Sequence, residues 1–404
     1  MQYMKNIKRS LYIEKVKPFI SKNVIKVLVG QRRVGKSFIL VQLMDEIRKN
    51  ISNPNIIFIN KEFDEFRDLD NNVKLSEYIK QNEKKEKLNY LFIDEVQDIK
   101  DFEISLRNLQ AKGNFDIYCT GSNANLLSGE LATYLSGRYI EIKINSLSYI
   151  EFLEFHKLNN NLRSLDKFLR YGGLPYLINL PLDDKIIFDY LKNIYAAILY
   201  KDLVARYSIR NINFLEKLVF YLADNIGSIV SGKRISEFLK SQNTLISIPA
   251  VLNYLFQLNS VFFINKVSRS EIHGKKIFEI GEKYYFEDIG IRNAIIGYNP
   301  AQINKILENV VYLHLKICNY TIYVGTENNN EIDFVCSKEN RKLYVQVAFR
   351  LTEKSTQERE FGNLIRIKDH YPKIVVSLDE IFTDTNIEGV QHVYLQDFLS
   401  NYNV

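Results

Sequence analysis

The sequence predicts an α/β protein whose amino-terminal part is a parallel sheet organised around a phosphate-binding loop. A β-branched apolar run at residues 25–29 leads directly into residues 30–37, which match the pattern glycine, four residues, Gly-Lys-Ser. A mostly apolar helix follows the loop, and two later apolar runs, 88–95 and 115–120, read as buried strands with polar residues at their ends. Ligands collect at the carboxyl ends of parallel strands, so these features together predict a nucleotide site.

The loop offers the groups that hold the phosphates of a nucleotide. Gly30 and Gly35 lack a Cβ atom, so the backbone can curl and point its N–H groups at phosphate oxygens. Lys36 is expected to reach the β- and γ-phosphates, and Ser37 to bind Mg²⁺. ATP and Mg²⁺ are the predicted cofactors. A strand-to-helix turn without a nucleotide is the alternative. The predicted nucleotide-binding residues are Gly30, Gln31, Arg32, Arg33, Val34, Gly35, Lys36 and Ser37.

Composition indicates a globular protein without special covalent features. The chain has 404 residues, of which 46% are hydrophobic and 25% are charged, so it can bury sizeable cores. Its net charge of +6 is concentrated near the phosphate loop, and anionic ligands explain this as well as nucleic acid does. Cys119, Cys318 and Cys336 are too far apart in sequence to suggest a zinc site or a disulfide. With no signal peptide and no membrane-length apolar run, the prediction is a cytoplasmic protein without membrane contact.

Two carboxylates end the strand at residues 88–95. Asp94 is placed to hold Mg²⁺ together with Ser37, and Glu95 is placed to polarise the water that attacks the γ-phosphate. The alternative is a strand that simply ends in a solvated acidic turn. The phosphate loop upstream favours the interpretation that Asp94 holds Mg²⁺.

Polar residues also follow the strand at residues 115–120. Ser122 or Asn123 is placed to sense the γ-phosphate, whereas a polar turn that caps the next helix is the alternative. Apolar periodicity in this part also predicts strands at 55–59 and 139–144 and helices at 75–81 and 102–111.

Several segments together resemble a known group. The segments Gly-Gln-Arg-Arg-Val-Gly-Lys-Ser, Phe-Ile-Asp-Glu-Val-Gln, Thr-Gly-Ser-Asn-Ala and Leu-Ser-Gly-Arg-Tyr look like AAA-type prokaryotic ATPases that carry a carboxyl-terminal domain of unknown function. The segments at 171–175 and 284–293 extend the resemblance over nearly the whole chain. It implies ATP hydrolysis, Ser122 at the sensor position and Arg138 as an arginine finger.

Arg138 in that role would act on the γ-phosphate of a neighbouring subunit, which predicts a homo-oligomer that is at least transient. The alternative is a surface arginine paired with Glu141 or Glu130.

The chain is predicted to contain three domains. Residues 1–156 form the AAA-type ATPase domain, residues 157–300 a helical and winged-helix domain, and residues 301–404 a restriction-endonuclease-like α/β domain; the boundary near residue 157 rests on a polar run. Helices at 235–240 and 248–258, with a hairpin at 261–278, suggest the winged helix. Its second helix carries no Lys or Arg, so DNA contact and protein contact remain equally open.

The tail resembles a nuclease fold that has lost its catalytic set. A helix with Glu308 and a strand with Asp333 fit that fold, but the expected acid and lysine on the third strand are replaced by Gln346 and Ala348. We therefore expect no nuclease activity.

The sequence predicts an ATP-binding and ATP-hydrolysing switch. Its nucleotide state would control how the winged-helix and nuclease-like region contacts DNA or a protein partner. The alternative function is an ATP-controlled DNA-processing nuclease. A scaffold with a binding-only nucleotide site is disfavoured, because Lys36, Ser37, Asp94 and Glu95 are all retained.

Overall fold

Parallel strands form the first sheet, as the sequence predicts. In the described part of the chain the sheet has five strands, which are Ile25–Val29 (β1), Asn55–Asn60 (β2), Asn89–Asp94 (β3), Phe115–Gly121 (β4) and Tyr139–Lys143 (β5). Their order in the sheet is β2-β3-β4-β1-β5. Every residue of β1, β3 and β4 is buried, which explains why these segments are continuous apolar runs and not alternating ones. The helices are Ser10–Val16 (α1), Lys36–Asn50 (α2), Asn72–Asn82 (α3) and Phe102–Lys112 (α4).

The computed structural model describes residues 7–124, 135, 137–242, 245–272, 281–327, 330–382 and 385–401. The chain divides into two compact units. The first contains the residues up to Asn145 together with Ser260–Phe262, and the second contains Ser146–Asn259 together with the residues from Phe263 onward.

The first unit ends before the predicted boundary near residue 157. Ser148 begins helix α5, Tyr149–His156, through a reciprocal capping box with Glu151, and this helix packs within the second unit. The polar run after residue 156 therefore joins α5 to the next helix inside the second compact unit. The predicted ranges 157–300 and 301–404 also lie together in the second unit.

The second unit is organised around a sheet that combines the middle and the tail of the chain. In the described residues the sheet has eight strands in the order β12-β13-β11-β10-β9-β8-β6-β7. The strands are Ile264–Glu271 (β6), Glu282–Phe286 (β7), Thr321–Glu327 (β8), Asn330–Lys338 (β9), Arg341–Ala348 (β10), Lys373–Ser377 (β11), Asn386–Ile387 (β12) and Val390–Tyr394 (β13).

The first strand of the predicted winged-helix hairpin, which corresponds to β6, belongs to this same sheet. β6 pairs antiparallel with β7 and parallel with β8, the first strand of the predicted nuclease-like fold. The predicted second hairpin strand, residues 275–278, and the turn at His273-Gly274 lie outside the described residues. The order of helix, three strands, helix and strand predicted for the tail agrees with the structure.

Helices cover the second sheet and form the region before it. Within the described residues, none of the helices has both the length and the apolar character needed to span a membrane. After α5 come Leu162–Tyr171 (α6), Asp184–Ala197 (α7), Ile212–Asp224 (α8), Gly232–Ser241 (α9), Ile248–Ser260 (α10), Ile289–Ile296 (α11), Ile303–Ile317 (α12), Lys354–Ile365 (α13) and Leu395–Leu399 (α14).

Two of the segments that carried the resemblance contact each other in the second unit. The Asp288 carboxylate accepts a hydrogen bond from the Gly173 N–H at 2.8 Å. A Cβ atom on Gly290 would lie 1.9 Å from the Tyr171 carbonyl oxygen, so the two backbones can approach only because this position is glycine. The resemblance there reflects packing between α6 and α11.

Candidate nucleotide site

The phosphate loop lies between β1 and α2, at the carboxyl edge of the first sheet. Gly30 follows β1, and a Cβ atom on it would lie 2.2 Å from the Ile144 carbonyl oxygen. Arg33 and Gly35 have φ angles of 71° and 96°, so the loop turns through left-handed backbone before the helix begins. β3 and β4 end at the same edge. The fold therefore brings the predicted loop and the predicted carboxylates to one edge.

Lys36 is held inside this loop. Its side chain is buried, and its ammonium donates to the carbonyls of Gly30 at 3.0 Å and Gln31 at 3.1 Å. The same nitrogen lies 3.9 Å from a carboxylate oxygen of Glu95. Of the other predicted loop residues, Gln31 and Val34 are buried, Arg32 and Ser37 are half-buried, and Arg33 is exposed.

Asp94 is fully buried at the end of β3. Its Oδ1 atom accepts a hydrogen bond from the Thr120 hydroxyl at 2.5 Å. Burial raises the pKa of Asp94, while hydrogen bonds from Thr120 and Ser37 act in the opposite direction. The two predicted magnesium ligands, Ser37 and Asp94, thus lie close together at this edge of the sheet.

Glu95 follows Asp94 in a left-handed backbone conformation, with φ 55° and ψ 53°. Non-glycine residues adopt this conformation uncommonly, and strained positions of this kind cluster at functional sites. The Gln97 amide donates a hydrogen bond to the Glu95 carboxylate. The backbone N–H of Glu95 donates to the Thr120 hydroxyl at 2.9 Å. Glu95 is therefore fixed at both its backbone and its side chain.

Several buried polar atoms around the loop have no hydrogen-bond partner in the described part of the chain. They are Gln31 Oε1, Asp94 Oδ2, Gln97 Oε1 and Ser122 Oγ. Buried polar atoms are rarely left without a partner in proteins. A carboxylate oxygen with free coordination capacity suits Mg²⁺, and the hydroxyl and amide oxygens suit water or phosphate. The residues present therefore fit ATP with Mg²⁺.

Arg138 lies away from this edge of the sheet. It is exposed and directly precedes β5, and its carbonyl accepts from the N–H of Ile25, the first residue of β1. The loop follows the other end of β1, which is about 13 Å away at 3.3 Å per residue. Within one chain, Arg138 is thus not brought to the loop. No ion pair joins Arg138 to Glu141 among the residues described, and Glu130 lies outside them.

Three residues in this region were not identified from the sequence: Thr120, Gln97 and Arg9. Thr120 is a polar residue at the end of an otherwise apolar strand, which is a signal that could have found it. Gln97 and Arg9 carry no comparable local signal. Their roles depend on contacts that form only when the chain folds.

The residues of the predicted nuclease-like site surround a lysine. The buried ammonium of Lys283, on β7, lies 2.7 Å from Glu308, 2.6 Å from Glu331 and 3.4 Å from Asp333. Burial lowers the pKa of Lys283, but the three carboxylates outweigh burial and raise it. The Gln346 side chain accepts from the Asp333 N–H at 3.2 Å. In the part of the chain that is described, no cluster of acids, histidines or cysteines is arranged to hold a metal ion.

The sheet and its loop define a P-loop ATPase domain of the AAA class. A family model described as an AAA domain matches residues 22–153, and a model described as a domain of unknown function matches residues 162–302. The Walker-type ATPase PABY2304 of Pyrococcus abyssi has a similar fold, with a TM-score of 0.52 at 14% identity, over 72% of this chain and 95% of that one.

Full-length relatives identify the family. An uncharacterised protein of Haemophilus influenzae is 35% identical over 402 residues, which cover 97% of this chain and 98% of that protein. The uncharacterised protein MJ1544 of Methanocaldococcus jannaschii is 31% identical over 400 residues, covering 92% and 86%. The chain belongs to this family of proteins, in which an AAA domain is followed by a domain of unknown function. The resemblance stated from the sequence is confirmed.

Proposed function

We propose that this protein binds ATP with Mg²⁺, hydrolyses the ATP, and uses its nucleotide state to control contact with a protein partner. The observation that carries the first part is the cluster of buried Lys36, buried Asp94 and half-buried Glu95, in which Asp94 Oδ2 has no partner among the described residues. Leaving a buried carboxylate oxygen without a hydrogen-bond partner costs free energy unless a ligand contacts that oxygen.

Each residue of the cluster has a distinct role in this proposal. Ser37 and Asp94 would hold Mg²⁺, which when bound neutralises charge on the phosphates. The Lys36 ammonium would replace its hydrogen bonds to the carbonyls of Gly30 and Gln31 with hydrogen bonds to phosphate oxygens. Glu95 would accept a proton from the attacking water. The unpartnered hydroxyl of Ser122 supports its proposed role as the γ-phosphate sensor.

Two substitutions test binding and turnover separately. We expect Lys36→Ala to abolish tight ATP binding, because it removes the buried ammonium of the loop. Glu95→Gln should still bind ATP but stop hydrolysis, because an amide cannot accept the proton. Calorimetry measures binding, and phosphate release measures turnover. Lys49→Ala is the matched control, because it changes an exposed lysine near the end of α2, the helix that begins at Lys36. Hydrolysis by Glu95→Gln at the wild-type rate would refute the role of Glu95.

A protein partner is favoured over DNA by the surface of α10. Ile248, Leu252 and Phe256 are 41%, 49% and 56% exposed, and their spacing of four residues places them on one helix face. This helix has no Lys or Arg that could donate to bases or phosphates. Lys233, Arg234 and Lys240 are exposed on helix α9, whose Gly232 packs against Ile248 and Leu252 of the stripe. The stripe therefore suits a partner helix with an apolar face and acidic flanks.

Site-specific photocrosslinking tests this surface. A photoreactive residue at position 252 or 256 should capture one protein reproducibly in cells, and the same residue at the exposed position of Asn253 should capture much less. With the captured protein purified, we expect binding to depend on nucleotide and to weaken at least tenfold with Phe256→Glu. Crosslinks to DNA in place of protein would contradict the proposal.

A further inference from the structure

A buried arginine connects the phosphate loop to the residues at which the chain leaves the first unit. Arg9 is only 3% exposed and directly precedes α1. Its Nη1 atom donates to the carbonyl of Val34, in the loop, at 2.9 Å and to the carbonyl of Asn145 at 3.0 Å. Asn145 is the residue after which the first unit ends. One guanidinium thus holds both segments.

The beginning of the phosphate loop also contacts the segment 144–145. The Ile144 N–H donates to the Val29 carbonyl at 2.7 Å, and Gly30 packs against the Ile144 carbonyl so closely that no Cβ atom would fit. Residues 144–145 therefore contact the beginning of the loop through the backbone and its middle through Arg9. A change in loop conformation has two routes to this segment.

Arg9 is itself held by several contacts. Its backbone N–H donates to Gln42 of α2 at 3.1 Å, and the Gln42 amide donates to the Ile7 carbonyl at 2.9 Å. The guanidinium lies 4.5 Å from the centre of the Tyr12 ring, whose hydroxyl accepts from the Asn145 N–H at 3.1 Å. Because these contacts fix the arginine, it can transmit a displacement of Val34 without absorbing it.

The contact to Val34 also orients the loop backbone. In a trans peptide the carbonyl of one residue and the N–H of the next point in opposite directions. With the Val34 carbonyl directed to Arg9, the N–H of Gly35 is directed away from Arg9. Binding of phosphate by loop N–H groups therefore acts on the same peptide plane that Arg9 holds.

We propose that Arg9 is a positioning residue that couples nucleotide occupancy of the phosphate loop to residues 144–145. The inference rests on the proposed ATP binding. It assigns Arg9 no part in the chemical step. Its consequence is that the backbone at Asn145 responds to ATP much less strongly when the guanidinium bridge is absent.

Amide hydrogen exchange at residue resolution tests the coupling without measuring turnover. Glu95→Gln is the starting protein, because it should retain bound ATP. We expect ATP with Mg²⁺ to slow exchange both in residues 30–37 and at Asn145. Adding Arg9→Met should reduce the response at Asn145 about tenfold, the effect of losing one charged hydrogen bond, while ATP still slows exchange in the loop.

Lys15→Met is the matched control, since the Lys15 ammonium lies 5.6 Å from the same Tyr12 ring, and both responses should persist in it. If Arg9→Met does not fold, Arg9→Lys replaces it, because an ammonium keeps the charge but lacks the planar donors.

An unchanged response at Asn145 with the bridge removed overturns the proposal. A loop response without an Asn145 response in the starting protein also overturns it, but leaves ATP binding intact. Absence of ATP binding in the starting protein overturns both.

Discussion

Thr120 is the side chain that joins the two acidic residues at the end of β3. Its hydroxyl donates to Asp94 and accepts from the N–H of Glu95. Both groups are needed in the proposed reaction, one for the metal and one for the attacking water. A single hydroxyl thus sets the relative position of the metal ligand and the general base.

We expect Thr120→Val to lower ATP turnover and raise the Mg²⁺ concentration needed for half-maximal activity. The valine has nearly the same shape but leaves Asp94 Oδ1 without the Thr120 hydrogen bond, at a cost of about 1–3 kcal/mol. Magnesium titrations of phosphate release measure the effect. Thr120→Ser keeps the hydroxyl and serves as the control. Equal magnesium dependence in the valine variant and the wild type would exclude this role.

At the scale of single residues, local motifs made part of the site predictable. Lys36 and Ser37 lie in one short pattern, and Asp94 and Glu95 end one apolar strand, so sequence spacing alone placed them together. Gln97 and Arg9 could not be found this way. Gln97 matters because Glu95 adopts left-handed backbone, and Arg9 because its partners are far away in sequence.

At the scale of elements, the first sheet was predictable because its strands are covered on both faces and read as apolar runs. The first strand of the predicted hairpin, which corresponds to β6, was assigned to a winged helix with no pairing to the tail. A strand's sequence records its burial but not which distant strand it pairs with, so the pairing of β6 with β8 was not foreseen. That pairing brings Lys283 to the acids of the tail.

We predict that the purified protein does not cleave DNA with Mg²⁺ or Mn²⁺. Lys283 already neutralises the carboxylates that a nuclease would use to bind metal. A plasmid-nicking assay measures cleavage. Metal-dependent nicking that disappears in Asp333→Ala would instead establish a nuclease.

The same cluster predicts a stability difference between two lysines. Lys283→Met should lower the free energy of unfolding by about 3–5 kcal/mol, because it leaves buried acids without their cation. Lys266→Met removes the half-exposed partner of Glu282 and should cost no more than about 1 kcal/mol. Urea unfolding compares the two. Equal losses would show that the cluster is not a stabilising centre.

At the scale of the whole molecule, the position of Arg138 bears on assembly. β5 runs parallel to β1, so Arg138 lies beside the amino end of β1, whereas the phosphate loop follows the carboxyl end of β1. If it acts on ATP, it must act on the ATP of another copy. This position agrees with action between subunits, the role that the resemblance implies for Arg138.

We expect Arg138→Ala to retain ATP binding and lose hydrolysis, by a factor on the order of 10³ or more for an arginine finger. Specific activity of the wild type should rise with protein concentration. Mixing Arg138→Ala with Lys36→Ala is the decisive measurement, because one subunit supplies the arginine and the other the intact loop. An inactive mixture whose subunits co-assemble would rule out action between subunits.

The pairing of β6 with β8 also determines when each part of the protein can fold during synthesis on the ribosome. The first unit is complete once Phe262 has emerged, before any strand of the second sheet, which begins with β6 at Ile264, has been made. The sheet is complete only when β13, Val390–Tyr394, has been made. A chain released before β8 would carry a folded ATPase unit beside an unpaired β6 edge. Such truncated chains would be natural targets for chaperones and proteases.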